Sequence, residues 1–213
     1  MRSSGSTPSP RPSRPVPLFV LLAGEDHPRA CTGRRLLHRG LAIERSRSTL
    51  RGLAPIVLDP YARLPLLRSD RALAETAGVL AVDCSWNRLS ERGRFPDAPA
   101  PGVARRLPIL VATNPQHYGR VAQLNTVEAL AAALVLVGHP TEAGRLLEGF
   151  RGADQFLAVN RGRLDAYAAA SDAAELEAVE GRLFGGPEHA VSPAGGSSAP
   201  RSPDARPERP PPK

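Results

Sequence analysis

Asp83 and Trp86 stand at the end of the run Val-Leu-Ala-Val-Asp-Cys-Ser-Trp (79 to 86), where an apolar stretch of strand length delivers a carboxylate and the chain's sole indole. A carboxylate leaving a buried strand can accept a proton or hold a cation in a desolvated setting. An indole beside it can stack on a base or face a cation, worth roughly 0.5 to 2 kcal/mol. Plainer uses stay open: Asp83 capping the turn at Cys84 and Ser85, and Trp86 filling space between lobes.

Three other places carry usable groups. Asp26-His-Pro-Arg-Ala-Cys-Thr-Gly33 follows the first apolar run, and open α/β sheets place ligands at such strand ends. There Thr32 offers a hydroxyl and an amide and Gly33 permits close backbone approach; the alternative is an ordinary loop with a helix cap at Thr32. In Leu107-Pro-Ile-Leu-Val-Ala-Thr-Asn-Pro-Gln-His-Tyr-Gly119 a strand becomes a proline-interrupted loop. Pro115 pushes Asn114 off helical geometry, leaving its amide to a ligand or to the loop backbone. Thr126 opens a helix, where backbone N–H groups and the dipole favour an anion such as a carboxylate.

Several chemistries find no support. The chain has no Walker A sequence, no G-x-G-x-x-G and no nucleophile-elbow serine. His27, His38 and His117 are too scattered for a metal site or a triad. Cys31 and Cys84 are the only cysteines and share no Cys-x-x-Cys spacing, so reduced, buried thiols are expected and no metal.

The formal net charge is +7, with 28 Lys and Arg against 21 Asp and Glu, and Lys213 is the sole lysine. The arginines cluster: Arg29, Arg34, Arg35, Arg39, Arg45, Arg47 and Arg51 are opposed locally only by Glu44. Guanidinium forks suit phosphate oxygens, so the stretch is either an RNA-facing surface or a solvated basic face.

The elements that must position these groups follow from hydrophobic pattern. Leu18 to Ala23, Ile56 to Leu58, Val79 to Asp83 and Ile109 to Ala112 are continuous apolar runs, which predict strands of a mostly parallel sheet buried on both faces. A helix over 72 to 77, capped by Ser69 or Asp70, stops at Gly78. From Asn125 or Thr126 a nearly all-apolar helix runs to Gly138 and should be buried. Further helices are expected at about 141 to 149, 154 to 169 and 172 to 184, the last capped by Ser171. The fold class is therefore α/β: an N-terminal α/β lobe over 17 to 106 and an all-helical C-terminal lobe over 107 to 185, with residues 107 to 126 crossing between them. Residues 1 to 16 and 186 to 213 are rich in Ser, Pro, Arg and Gly and are expected to be disordered tails. No run reaches the roughly 18 to 20 apolar residues of a membrane span, and the arginine-rich start lacks a signal-peptide pattern, so a cytoplasmic protein without membrane contact is expected; a monomer is expected as well.

Taken in order, Asp-His-Pro-Arg-Ala-Cys-Thr-Gly (26 to 33), Val-Asp-Cys-Ser-Trp (82 to 86), Leu-Pro-Ile-Leu-Val-Ala-Thr-Asn-Pro-Gln-His-Tyr-Gly (107 to 119) and Leu-Asn-Thr-Val-Glu-Ala (124 to 129) resemble the ribosomal-RNA aminocarboxypropyltransferases. The likeness continues through Phe150, Phe156, Asn160 and Tyr167. It implies a SPOUT-like fold with a trefoil knot. It also implies S-adenosylmethionine as cofactor, its 3-amino-3-carboxypropyl group passing to the imide nitrogen of a uridine or pseudouridine in small-subunit rRNA during ribosome biogenesis. By motif position the resemblance implies cofactor contacts at Thr32, Val82, Leu107, Ala122 and Thr126, and the transferred side chain held at Asp83 and Trp86. For Asp83 two roles stand, binding the cofactor ammonium or accepting the proton of the target nitrogen. Relatives often hold tyrosine at the position of Ala122 and usually read Ala-Ala-Asn-Pro where this chain has Ala112-Thr113-Asn114-Pro115. Two alternatives remain beside this reading, a SPOUT-type RNA methyltransferase and a non-catalytic rRNA-binding assembly factor.

Overall fold

The computed structural model describes residues 14–24, 31–86, 89 and 101–185. The tails at 1–13 and 186–213, and Arg29, lie outside the described residues. Five strands form one sheet: β1 (Leu18–Leu22), β2 (Ile43–Glu44), β3 (Ile56–Leu58), β4 (Val79–Asp83) and β5 (Val103–Arg105). Their order is β2-β1-β4-β3-β5, and every pairing is parallel. β4 is central because it is apolar on both faces, as a strand with two paired edges and two covered faces must be. Its alternation sorts the interior. Val79 and Ala81 enter the large core, whereas Leu80 enters a smaller cluster with Phe19, Leu50 and Val57 on the opposite face.

Helices α1 (Thr32–His38), α2 (Arg47–Leu50) and α3 (Arg71–Ala77) connect the strands. Gly78 ends α3 with φ 86, and a Cβ there would lie 2.5 Å from the Phe19 ring and 2.6 Å from the Pro17 carbonyl. Glycine is thus required by both backbone angle and space. The second half is helical, with α4 (Thr126–Leu136), α5 (Pro140–Leu147), α6 (Phe156–Ala169) and α7 (Ala173–Phe184). α4 is buried nearly all round, from Val127 to Leu136, and joins residues of the sheet and of α6 and α7 in the large core. His139 ties α3 to α5, its ring nitrogens 2.7 Å from Glu142 and 3.0 Å from Glu75. Among the described residues no helix is long and apolar enough to cross a membrane.

Several expectations need correction. Ile109–Ala112 is not a strand of the sheet; it makes one antiparallel bridge, Val111 with Val121. Ile109, Leu110 and Ala112 are buried, but the backbone here bonds to the following loop and to side chains rather than to a strand of the sheet. Asn160 brackets Val111 with two bonds of 2.9 Å, Tyr167 donates to the Ile109 carbonyl at 3.0 Å, and the Ile109 amide donates to Glu180 at 2.9 Å. A continuous apolar run reports burial, and here α6 and α7 replace neighbouring strands as hydrogen-bond partners. The short β2, β5 and α2 were not foreseen, since two to four residues carry no periodicity. Asp172, not Ser171, caps α7. Val16, assigned by composition to the tail, is buried and donates its amide to Glu142 at 3.2 Å. Neither cysteine forms a disulfide, and Cys31 is buried whereas Cys84 is only half-buried.

Candidate active site

The connection leaving β1 leads to β2 on one side of the sheet, whereas that leaving β4 leads to β5 on the other. The carboxyl ends of β1 and β4, paired through Leu22 and Asp83, therefore flank the topological switch point, the usual ligand crevice of an open parallel sheet. Asp83 is the last residue of β4 and is 6% exposed.

Its carboxylate is a meeting point. Oδ2 accepts from the Cys31 thiol at 2.7 Å and Oδ1 accepts from the Gly33 amide at 3.2 Å. Oδ1 also accepts from the hydroxyl of Thr126. The starts of α1 and α4 are thus drawn onto one carboxylate, whose charge the helix-start amides and dipoles favour. Gly33 is what lets α1 come this close: a Cβ there would lie 2.8 Å from Asp83 Cγ and 3.0 Å from Val20. Thr32 is the first residue of α1 rather than its cap; Cys31 is the cap, its sulfur accepting the Arg34 amide at 3.3 Å. Burial, then the hydrogen bond to Asp83, pushes the Cys31 thiol up to about 11.

Trp86 lies half-buried beyond Asp83, and its indole N–H donates to the Leu124 carbonyl at 2.8 Å. That bond pins the residues just before α4 against the end of β4. Asn125 caps α4: its side chain accepts the Glu128 amide at 2.9 Å, and its own amide donates to Glu128 at 3.0 Å. The cap leaves the amides of Thr126 and Val127 without a described partner at the helix start.

Glu128 was not foreseen from sequence. Fully buried, it also accepts the Thr113 amide at 2.8 Å, the Thr113 hydroxyl at 2.9 Å and the Asn114 side-chain amide at 2.7 Å. Asn114 Oδ1 meanwhile accepts the His117 amide at 3.0 Å. The Asn114 side chain is therefore used within the fold, its NH2 group donating to α4 and its oxygen accepting from the loop. The only sequence signal for Glu128 was its place three residues after Asn125, which reads as half of a capping box.

Val82 precedes Asp83 on β4 and is half-buried. Ala122 has φ 59 and donates its amide to the Leu110 carbonyl at 2.9 Å, two residues before the carbonyl that Trp86 holds. Leu107 begins the crossing segment, beside Arg106, which meets Glu180 at 3.0 Å. The structure joins Asp83 and Thr126 directly, places Thr32 between two Asp83 donors, and links Trp86 to the approach to α4. No described hydrogen bond joins Leu107 or Ala122 to Asp83.

Of the basic cluster, Arg35 and Arg39 are exposed yet anchored. Each guanidinium lies 4.9 Å from the Phe150 ring centroid, and they donate to the Gly149 and Glu148 carbonyls at 3.3 and 2.6 Å. Arg45 lies 5.2 Å over Phe19. Arg34 is exposed and Arg47 half-buried.

A family model described as ribosome biogenesis protein, C-terminal, matches residues 56–184. The chain is 36% identical over 168 residues to a 16S rRNA aminocarboxypropyltransferase of Vulcanisaeta distributa, covering 75% of this chain and 86% of that protein. The chain belongs to the rRNA aminocarboxypropyltransferase family. It is also 37% identical over 168 residues to an 18S rRNA aminocarboxypropyltransferase of Schizosaccharomyces pombe, covering 78% of this chain but 56% of that longer protein. The fold matches the solved structure of the SAM-dependent rRNA acp-transferase Tsr3 of Vulcanisaeta distributa with a TM-score of 0.70 at 34% identity, covering 81% of this chain and 90% of that one. Within this family frame, Asp83, Trp86 and Thr126 occupy the carboxyl edge of a parallel sheet.

Proposed function

We propose that this aminocarboxypropyltransferase-family protein transfers the 3-amino-3-carboxypropyl group of S-adenosylmethionine to the imide nitrogen of a uridine or pseudouridine in small-subunit rRNA during ribosome biogenesis. One observation carries the reading: a buried carboxylate, Asp83, is hydrogen-bonded to the first residue of α4, Thr126, whose amide and that of Val127 stand at the helix start. That pairing is complementary to the zwitterionic end of an amino acid, the carboxylate suiting an ammonium and the helix start suiting a carboxylate.

The donor chemistry fits S-adenosylmethionine. Asp83 is an acceptor to three protein donors, so we favour ammonium binding over proton acceptance for it. Trp86, oriented by the bond from its N–H to Leu124, holds the sulfonium side chain against its indole. Thr126 holds the cofactor carboxylate, Thr32 supports it from α1, and backbone groups at Val82 and Leu107 suit adenine and ribose, with Ala122 lining the same site. When bound, the cofactor supplies a sulfonium with an electrophilic γ-carbon. The protein's contribution is orientation: gripping the amino-acid end at Asp83 and Thr126 decides which carbon faces the RNA. Arg29, Arg34, Arg35, Arg39, Arg45 and Arg47 serve the rRNA backbone; anchoring takes one described donor each from Arg35 and Arg39, and a guanidinium has five.

The finer architecture belongs to the same proposal. A boundary near residue 107 between an α/β lobe and a helical lobe is supported by the last strand ending at Arg105 and by helices alone following α4's start. A SPOUT-like trefoil knot, implied by the family resemblance, and a monomeric, cytoplasmic protein are part of the same reading.

The test is transfer to small-subunit rRNA from cofactor labelled either in the carboxypropyl chain or in the methyl group. Label is expected only from the chain; label arriving only from methyl would replace this reading with a methyltransferase. Absence of cofactor binding in calorimetric titration would leave a non-catalytic rRNA-binding factor.

A further inference from the structure

The loop from Ala112 to Val121 is braced more heavily than a surface connection needs. At its base Glu128 holds Thr113 and Asn114, and Ala112 exchanges backbone bonds of 2.8 Å with Arg120 and Gly119. Asn114 and His117 close the tip through a bond of 3.2 Å between backbone groups, and the Arg120 amide returns to the His117 carbonyl at 2.9 Å. On this fixed frame Tyr118 is 67% exposed. Its side chain has no described hydrogen bond or ring contact, so it contributes little to the fold.

Two further observations give the exposed ring a partner. Arg120 is also exposed, with one guanidinium nitrogen 3.2 Å from Gln123. From Leu107 to Val127 the chain has no acidic residue, and the first that follows, Glu128, is fully buried. The tip is therefore an aromatic face with positive charge and no acidic residue in its own segment. Its C-terminal side runs through Ala122 and Leu124, the carbonyl held by Trp86, into Thr126 at Asp83. A rigid exposed aromatic beside an arginine is the composition of a base-stacking platform, since every base offers a π-face and the ordering cost is met before binding.

We propose that Tyr118 is an RNA-contacting residue on which an unpaired base of the rRNA substrate stacks, with Arg120 engaging the adjoining phosphate. This rests on the rRNA-modifying reading above and adds the residue that positions the RNA strand over the site.

The experiment compares the full-length wild type with Tyr118→Ala, Tyr118→Phe and Arg120→Ala. It measures RNA affinity by fluorescence anisotropy with a small-subunit rRNA fragment, KM and kcat for transfer to that fragment, and cofactor affinity by calorimetry. Stacking is worth about 1 to 3 kcal/mol per base, so Tyr118→Ala should weaken RNA binding and raise the RNA KM by about 5- to 150-fold. Tyr118→Phe should stay within about twofold of wild type, and cofactor affinity and melting temperature should not move. Arg120→Ala should weaken RNA binding and flatten its salt dependence. Wild-type RNA affinity in Tyr118→Ala overturns the proposal, as does an equal loss in Tyr118→Phe. A wild type that binds cofactor but modifies no rRNA overturns the functional reading instead, while the anisotropy still decides whether Tyr118 contacts RNA.

Discussion

The thiol of Cys31 donates to Oδ2 of Asp83 at 2.7 Å across 52 positions of sequence. The same sulfur caps α1 by accepting the Arg34 amide, so one side chain both starts a helix and orients the carboxylate that meets Thr126. Cys31→Ser keeps a donor and a good cap, and is expected to retain stability and cofactor affinity. Cys31→Ala removes both bonds: about 1 kcal/mol for the cap and about 1 kcal/mol for the Asp83 bond. Urea unfolding and calorimetric cofactor titration check the pair, and an unaltered Cys31→Ala would refute the role.

Cys31 also sets a pH dependence. Its thiol is raised from 9.0 to about 11, first by burial and then by Asp83, so between those values the folded chain holds a proton that the unfolded chain has released. Stability from this group is complete below pH 9 and is lost as pH rises towards 11. The unfolding free energy of wild type should fall over that window relative to Cys31→Ser. At pH 8.5, alkylation should reach half-buried Cys84 well before Cys31, as peptide mass spectrometry would show.

Glu128→Gln tests the brace of the crossing segment. A carboxamide keeps one acceptor oxygen but turns an NH2 group towards either the two donors of Thr113 or those of Asn114 and Asn125. Each buried group left unsatisfied costs about 1 to 3 kcal/mol. A total loss of roughly 3 kcal/mol or more is expected in urea unfolding, with weakened cofactor binding because the start of α4 shifts.

Gly33→Ala separates helix propensity from close approach. In an open helix the change would stabilise by about 1 kcal/mol. Here the new methyl would meet Asp83 Cγ at 2.8 Å, so stability should fall and cofactor affinity drop by roughly tenfold or more. A more stable variant with intact binding would mean that α1 can move off Asp83 freely.

Trp86→Phe removes the bond to the Leu124 carbonyl while keeping an aromatic face. A loss of about 1 kcal/mol in stability is expected, together with weaker cofactor binding. In wild type the single indole should report cofactor through its fluorescence; no change on saturation would place Trp86 outside the site.

The parallel sheet and the helical second half were legible because they rest on local pattern. Ile56–Leu58 and Val79–Asp83 are continuous apolar runs, and the helix after Asn125 carries its own cap and a glycine stop. Ile109–Ala112 misled for the same reason: its apolar residues report burial, while the hydrogen-bond partners come from Asn160, Tyr167 and Glu180, 49 to 71 positions away. Asp83, Trp86 and Thr126 were visible as residue types at element ends. Glu128 and Cys31 were not, since a capping-box glutamate and a lone cysteine look the same whatever lies across from them.

What the amino-acid sequence determined by itself is the set of elements, the ordered motifs that mark the family, and the charge that suits an RNA partner. Only the tertiary structure decided that Asp83 accepts from Cys31, Gly33 and Thr126 at once. The reason is topological. The strand order places β4 beside β1 and carries their connections to opposite sides, so groups 43 to 52 positions apart meet at one strand end, a convergence that no local window of sequence contains.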